Sequence, residues 1–231
     1  MVLLKRILTL ILILLLLNLF STNFLDYNIV SVFSINLHKN DYHIIVDLDD
    51  NTMYLFKGDE LHKTYPVSGG TALTPSPIGT WKIVSEANWG EGFGGTWMGF
   101  NVPWGQYGIH GTDEPWSIGK SLSKGCIRMY NKDADELKKT IRVGTEVTII
   151  KGAYGPFGNG FRTLAPGAIG SDVYAIQERL KEFGYYTGWV DGKYGAGMQK
   201  AVTKFQKDKG LTRTKYIKAE FYEALDIVLF E

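Results

Sequence analysis

The chain has 231 residues, 45% of them apolar, enough to bury the core of one or two compact domains. Twenty-five basic against twenty-four acidic residues leave a net charge of +1, and no basic run is long enough to track a phosphate backbone, which argues against nucleic acid as a partner. The single cysteine excludes an intramolecular disulfide, so the fold must rest on packing.

Residues 1–25 read as an export segment: Lys5 and Arg6 form a basic start, and Ile7 to Phe20 are apolar apart from Thr9 and Asn18. That run of about fourteen residues suits a signal-peptide core and falls short of the roughly 20 of a comfortable bilayer crossing. Ser21-Thr22-Asn23-Phe24 is a poor small-x-small cleavage site, so a cleaved leader and an uncleaved membrane anchor both remain open. Either places the remainder outside the cytoplasm, with membrane contact only through this segment. Residues 26–41 show no periodicity and read as a tether.

From His43 the pattern changes to period two, and 43–48, 52–56 and 61–67 read as an antiparallel meander turning at Asp49-Asp50-Asn51 and Lys57-Gly58-Asp59. Thr74-Pro75-Ser76-Pro77 predicts a rigid surface turn ahead of a strand through Trp81. Trp89 to Trp104, rich in glycine and tryptophan, reads as a loop that could close as a lid. A short helix is expected over 133–140 and a closing strand over 144–150. Glycines 152, 155, 158 and 160 with Pro156 and Pro166 mark a linker, after which Ser171 can cap a helix bearing Val173, Ile176, Leu180 and Phe183 and stopped by Gly184. A second helix carries Ala201, Val202 and Phe205, and a third spans about 218–229.

The lone thiol, Cys126, lies in Ser123-Lys124-Gly125-Cys126-Ile127-Arg128, sixteen residues after His110. A thiol can act as a nucleophile when a base is within hydrogen-bond reach, glycine admits a substrate carbonyl, and amides face the developing oxyanion. His110, Gly111, Gly125 and Cys126 have the right chemistry for those parts, although a small buried thiol and a satisfied core histidine would use the same residue types. Gly108-Ile109-His110-Gly111-Thr112 and Ser123 to Met129, followed by Asn131 and Asp133, resemble the signature of the YkuD-type L,D-transpeptidase catalytic domain. Lys124 departs from it, standing where the family most often has a second histidine. Gln177, Leu180, Gly184-Tyr185, Asp191-Gly192, Gly195, Ala201-Val202 and Phe205-Gln206 resemble a three-helix peptidoglycan-binding module, with Met198 in place of its usual threonine.

The resemblances imply an α+β protein. A mixed β-sandwich catalytic domain would occupy 42–151, a Gly/Pro linker 152–167 and a three-helix peptidoglycan-binding domain 168–228. They imply that Cys126 attacks the third residue of a tetrapeptide stem, a diacid, expels D-alanine as a thioacyl enzyme forms, and passes the acyl group to a neighbouring stem as a 3-3 cross-link. His110 would move the protons, the Gly111 carbonyl would orient it, and the amides of Gly125 and Cys126 would hold the oxyanion. Arg128 would face a substrate carboxylate or buttress the loop, with Ser123 and Asn131 as further substrate contacts. The partner is then the peptidoglycan sacculus. Three alternatives remain: an L,D-carboxypeptidase at the same site, an inactive wall-binding protein, and a thiol redox protein, the last disfavoured without a resolving cysteine. Asp47, Asp49 and Asn51 have calcium-loop spacing but lack its glycine and glutamate, and His38, His43 and His62 lack zinc spacing, so neither metal nor cofactor is expected.

Overall fold

The computed structural model describes residues 41–227. The expected leader, the tether up to residue 40 and the end of the third predicted helix lie outside them. Among the described residues no helix is long and apolar enough to cross a membrane.

Eight strands form one mixed sheet: β1 (Tyr42–Asp47), β2 (Thr52–Lys57), β3 (Glu60–Pro66), β4 (Gly79–Ala87), β5 (Trp97–Phe100), β6 (Gly108–His110), β7 (Ile127–Arg128) and β8 (Glu146–Ile150). Their spatial order is β3-β2-β1-β8-β4-β5-β6-β7. Alternation decides the first half: Ile44 and Val46 of β1, Met53 and Leu55 of β2, and Val147 and Ile149 of β8 point inward, and each side chain buried this way contributes about 1.5–3 kcal/mol. The predicted meander is present, but the closing strand inserts beside β1 in parallel, His43 pairing with Glu146. A register shift in β4 between Ile83 and Ser85 bends the sheet, as an extra residue in one strand does.

Beyond β3 the chain continues extended and pairs Ser68 with Arg128 and Gly70 with Ser123, so the two edges of the sheet meet and the whole curls around one core. Helix α1 (Asn131–Thr140) seals that core with Ala134 and Leu137. Part of the expected 89–104 loop is strand. Trp97–Phe100 is buried at every position, so it shows no alternation, and its Gly-Trp composition imitates a loop.

The C-terminal region is a bundle of α2 (Ser171–Glu182), α3 (Ala196–Asp208) and the short α4 (Ala219–Ala224). Val173, Ile176, Leu180, Met198, Val202, Phe205 and Phe221 form its core. Gly170, not Ser171, is the N-cap of α2. The Asp172 carboxylate accepts the Val173 N–H and holds Arg162, which leaves the serine hydroxyl no capping role. The glycine-rich 152–167 segment lies on this bundle: Phe161 stacks on Tyr222 at 4.3 Å, and Leu164, fully buried, bridges to Ile217.

The bundle also touches the sheet. Tyr174 of α2 packs edge-on to Trp81 of β4 and against Trp104, each ring pair 5.6 Å apart. Beside it the 191–193 turn is pinned by Gln177, which is fully buried. Its amide NH2 donates to Asp191 Oδ1 at 2.9 Å and to the Lys193 carbonyl at 3.0 Å, and its Oε1 accepts the N–H groups of Asp191 and Gly192 at 3.0 and 2.7 Å. Gln177→Leu leaves two backbone donors without an acceptor in a dry site. Urea unfolding should show it less stable by about 3 kcal/mol, well beyond the cost of a surface Gln substitution.

Candidate active site

The cysteine loop is laced to the extension of β3. Arg128 and Ser68 exchange backbone hydrogen bonds at 2.9 Å in both directions, Ser123 N–H donates to the Gly69 carbonyl at 2.9 Å, and Thr71 N–H to the Ser123 carbonyl at 3.1 Å. Ser68, fully buried, adds its hydroxyl to the Lys120 carbonyl. No side chain fits at Gly70, since a Cβ there would lie 2.2 Å from the Thr74 carbonyl oxygen. Gly125 has φ +114°, a conformation glycine adopts without strain, and its α-carbon faces the Tyr107 ring, 2.7 Å from where a Cβ would stand.

Cys126 precedes β7, and β7 runs parallel to β6, with His110 opposite Arg128. This pairing brings the thiol beside the residues that lead into His110. The Gly108 N–H faces the sulfur and the Gln106 carbonyl lies 4.0 Å from it. Burial raises the thiol pKa, which the Gly108 N–H and the Arg128 guanidinium partly offset. Lys124 is exposed and is not among these influences; Arg128 supplies the cation instead.

His110 is almost wholly buried. Phe93 meets its ring edge-on at 5.0 Å, Trp97 lies 5.9 Å away, and Trp89 stacks on Trp97 at 4.1 Å, so the aromatic side chains of the expected lid form a cage on the imidazole. His110 Nδ1 hydrogen-bonds the Gly111 carbonyl. With Nδ1 carrying the hydrogen as donor, Nε2 is left with the lone pair. Burial and the nearby Arg128 guanidinium outweigh the Gly111 contact and lower the imidazole pKa to about 4. At neutral pH the resting pair is a neutral imidazole and a thiol.

The three proposed substrate contacts are engaged within the protein. Arg128 donates to Glu114 Oε2 at 2.6 Å and reaches the Ser117 hydroxyl at 3.5 Å, so it buttresses the loop and its carboxylate partner is internal. Ser123 is buried: its hydroxyl donates to the Cys126 carbonyl at 2.6 Å and accepts the Gly125 N–H at 3.0 Å. It therefore shapes the turn, and the Gly125 amide assigned to the oxyanion is already bonded. The Cys126 N–H has no acceptor among the described residues. Asn131 Oδ1 accepts the Thr112 N–H at 2.7 Å and presses against Gly111 and Gly94, where a Cβ would stand 2.5 and 2.0 Å from it. It clamps the loop whose carbonyl orients His110.

Sequence reasoning did not single out Tyr107, Glu114, Ser68 or the Gly108 amide. The only advance signal was a tyrosine next to the His-Gly segment; contacts made by backbone groups and by a loop-to-strand lacing leave no residue pattern. Among the described residues no group of three or more His, Cys, Asp or Glu side chains could hold a metal ion.

Residues 41–149 match the family model of the YkuD L,D-transpeptidase catalytic domain, and 169–225 match the model described as "Putative peptidoglycan binding domain". The chain is 45% identical over 109 residues to "Putative L,D-transpeptidase YkuD" of Bacillus subtilis (strain 168), covering 47% of this chain and 65% of that protein. It is 32% identical over 125 residues to "Putative L,D-transpeptidase YqjB" of the same organism, covering 47% of this chain and 71% of that one. The solution structure of the catalytic domain of an Enterococcus faecium L,D-transpeptidase aligns over 49% of this chain and 99% of its own, with 24% identity and a TM-score of 0.42. The chain belongs to the YkuD-type L,D-transpeptidase family. It spans about two thirds of the curated relatives named here.

The lowered pKa of His110 predicts a pH signature. In the unfolded chain the imidazole protonates near 6.5 and in the folded protein near 4, so between those values the unfolded state binds more protons and stability falls as pH falls. Chemical denaturation across pH 7 to 4 should lose about 3 kcal/mol from this group, then level off below pH 4. His110→Asn should remove that slope. Thiol alkylation gives a second test: Arg128→Met should move the Cys126 midpoint upward, whereas Lys124→Gln should leave it in place.

Proposed function

We propose that this protein is a cysteine-dependent L,D-transpeptidase acting on peptidoglycan stem peptides, outside the cytoplasm. The observation that supports it best is the pairing of β6 with β7, which sets the segment carrying the only thiol beside the segment carrying a caged, neutral histidine whose Nδ1 is occupied by the Gly111 carbonyl. Such a histidine can only accept a proton at Nε2, which is what a resting thiol nucleophile requires.

The reaction then runs in two halves. The Cys126 thiol proton passes to His110 Nε2 as Sγ bonds to the carbonyl carbon of the third stem residue, and the resulting oxyanion is met by the Cys126 N–H. Collapse breaks the amide bond to D-alanine, whose amine takes the proton back from the imidazolium. A thioester remains. The side-chain amine of a second stem attacks this thioester, His110 takes up its proton, and the thiol is regenerated as the new amide forms. The C-terminal bundle serves in this reading as the wall-binding module, keeping the enzyme at its polymeric substrate.

Incubation with a tetrapeptide stem should add the acyl mass to Cys126 and release D-alanine, and Cys126→Ala should do neither. His110→Ala should slow adduct formation by about 10²–10⁴, the usual contribution of a positioned proton-transfer group. Absence of both adduct and D-alanine from the parent protein under reducing conditions would sink the reading. Products formed with and without an amine acceptor separate cross-linking from hydrolysis.

A further inference from the structure

A cleft of roughly 460 Å³ lies among residues next to Cys126 and His110, and its walls come from both domains. Trp97, Phe100, Trp104, Gln106 and Tyr107 line the sheet side. Neither Cys126 nor His110 lines the cleft, but its walls adjoin both: the Gln106 carbonyl lies 4.0 Å from the Cys126 sulfur, and the Trp97 ring lies 5.9 Å from that of His110. The remaining wall is Lys193 of the C-terminal bundle, the only charged residue in the lining.

The backbone of Lys193 is held. Its N–H donates to Asp191 Oδ1 at 2.9 Å, its carbonyl accepts from the buried Gln177 amide at 3.0 Å, and it bridges to Ile169. Next to it Gly192 sits against Trp104 with φ +67°, leaving no room for a Cβ, which would fall 2.3 Å from the ring. The turn is therefore seated on the cleft wall. Among the described residues the Lys193 ammonium has no carboxylate partner, and no acidic side chain lines the cleft. Lys193 is exposed, so its attraction for a bound anion is partly screened by solvent and a modest effect on affinity is expected.

We propose that Lys193 is a specificity-determining residue of the catalytic cleft, contributed by the C-terminal bundle, and that it meets a carboxylate of the stem peptide. The proposal rests on the functional reading above for the identity of the peptide. It assigns the bundle a part in substrate recognition at the cleft itself, distinct from holding the enzyme on the wall.

The test uses the full chain carrying Cys126→Ala, so that binding is read without turnover, with calorimetric titration of a tetrapeptide stem and of the same stem with its carboxylates amidated. Lys193→Met should weaken binding of the carboxylate stem by about three- to fivefold and leave the amidated stem unaffected, and Lys193→Arg should restore most of the loss. Equal affinities with and without Lys193 for the carboxylate stem overturn the proposal. So does an equal loss for both stems, which would assign the effect to packing. Adduct formation by the parent protein is scored separately: its failure removes the enzyme reading, while the titration still decides whether Lys193 recognises the carboxylate.

Discussion

The contact between His110 Nδ1 and the Gly111 carbonyl is the constraint on which the catalytic half of this structure depends. It settles which ring nitrogen can take a proton, and the rest of the surroundings serve to keep it made. Asn131 grips the Thr112 N–H and leaves space only for glycine at 111, so the carbonyl cannot swing away. Phe93 and Trp97 enclose the ring and exclude the water that would otherwise compete for its nitrogens. Helix α1 begins at Asn131 itself, so the orientation of one imidazole is tied to a helix packed on the main core.

The same logic of occupied groups applies on the sulfur side. Ser123, Arg128 and Glu114 satisfy one another or the backbone, and what they leave over is a thiol and one backbone N–H. Arg128 acts on the chemistry at a distance: its charge favours thiolate at Cys126 and disfavours imidazolium at His110, so a single buttress biases both partners.

Much of this was legible in the residues. Alternation located β1 to β3, helical spacing located α2 and α3, and the paired His-Gly and Gly-Cys segments marked out the candidate site, whose two strands the fold sets side by side. What stayed hidden has physical reasons. β5 is buried on both faces, so its four residues carry no alternation. β6 and β7 are three and two residues long, below the length at which a period can be read. Whether a polar side chain near the cysteine faces a ligand or the protein depends on partners far along the chain: Arg128 finds Glu114 fourteen residues earlier, and Asn131 finds Thr112 nineteen residues earlier. The packing of Tyr174 on Trp81 and Trp104 is likewise a contact between segments that composition had separated by a linker.

The parallel pairing of β1 with β8 has a consequence for how the chain must be made. His43 finds its partner only at Glu146, about a hundred residues later, and β8 then joins β1 to β4 in the middle of the sheet. A growing chain that has finished only β1 to β3 carries a hairpin ribbon whose inner edge is open, and long-range pairings of this kind are slow to close. The sheet cannot be completed until nearly the whole of the first domain has left the ribosome, and until then the hydrogen-bonding edge of β1 is available to any other extended segment.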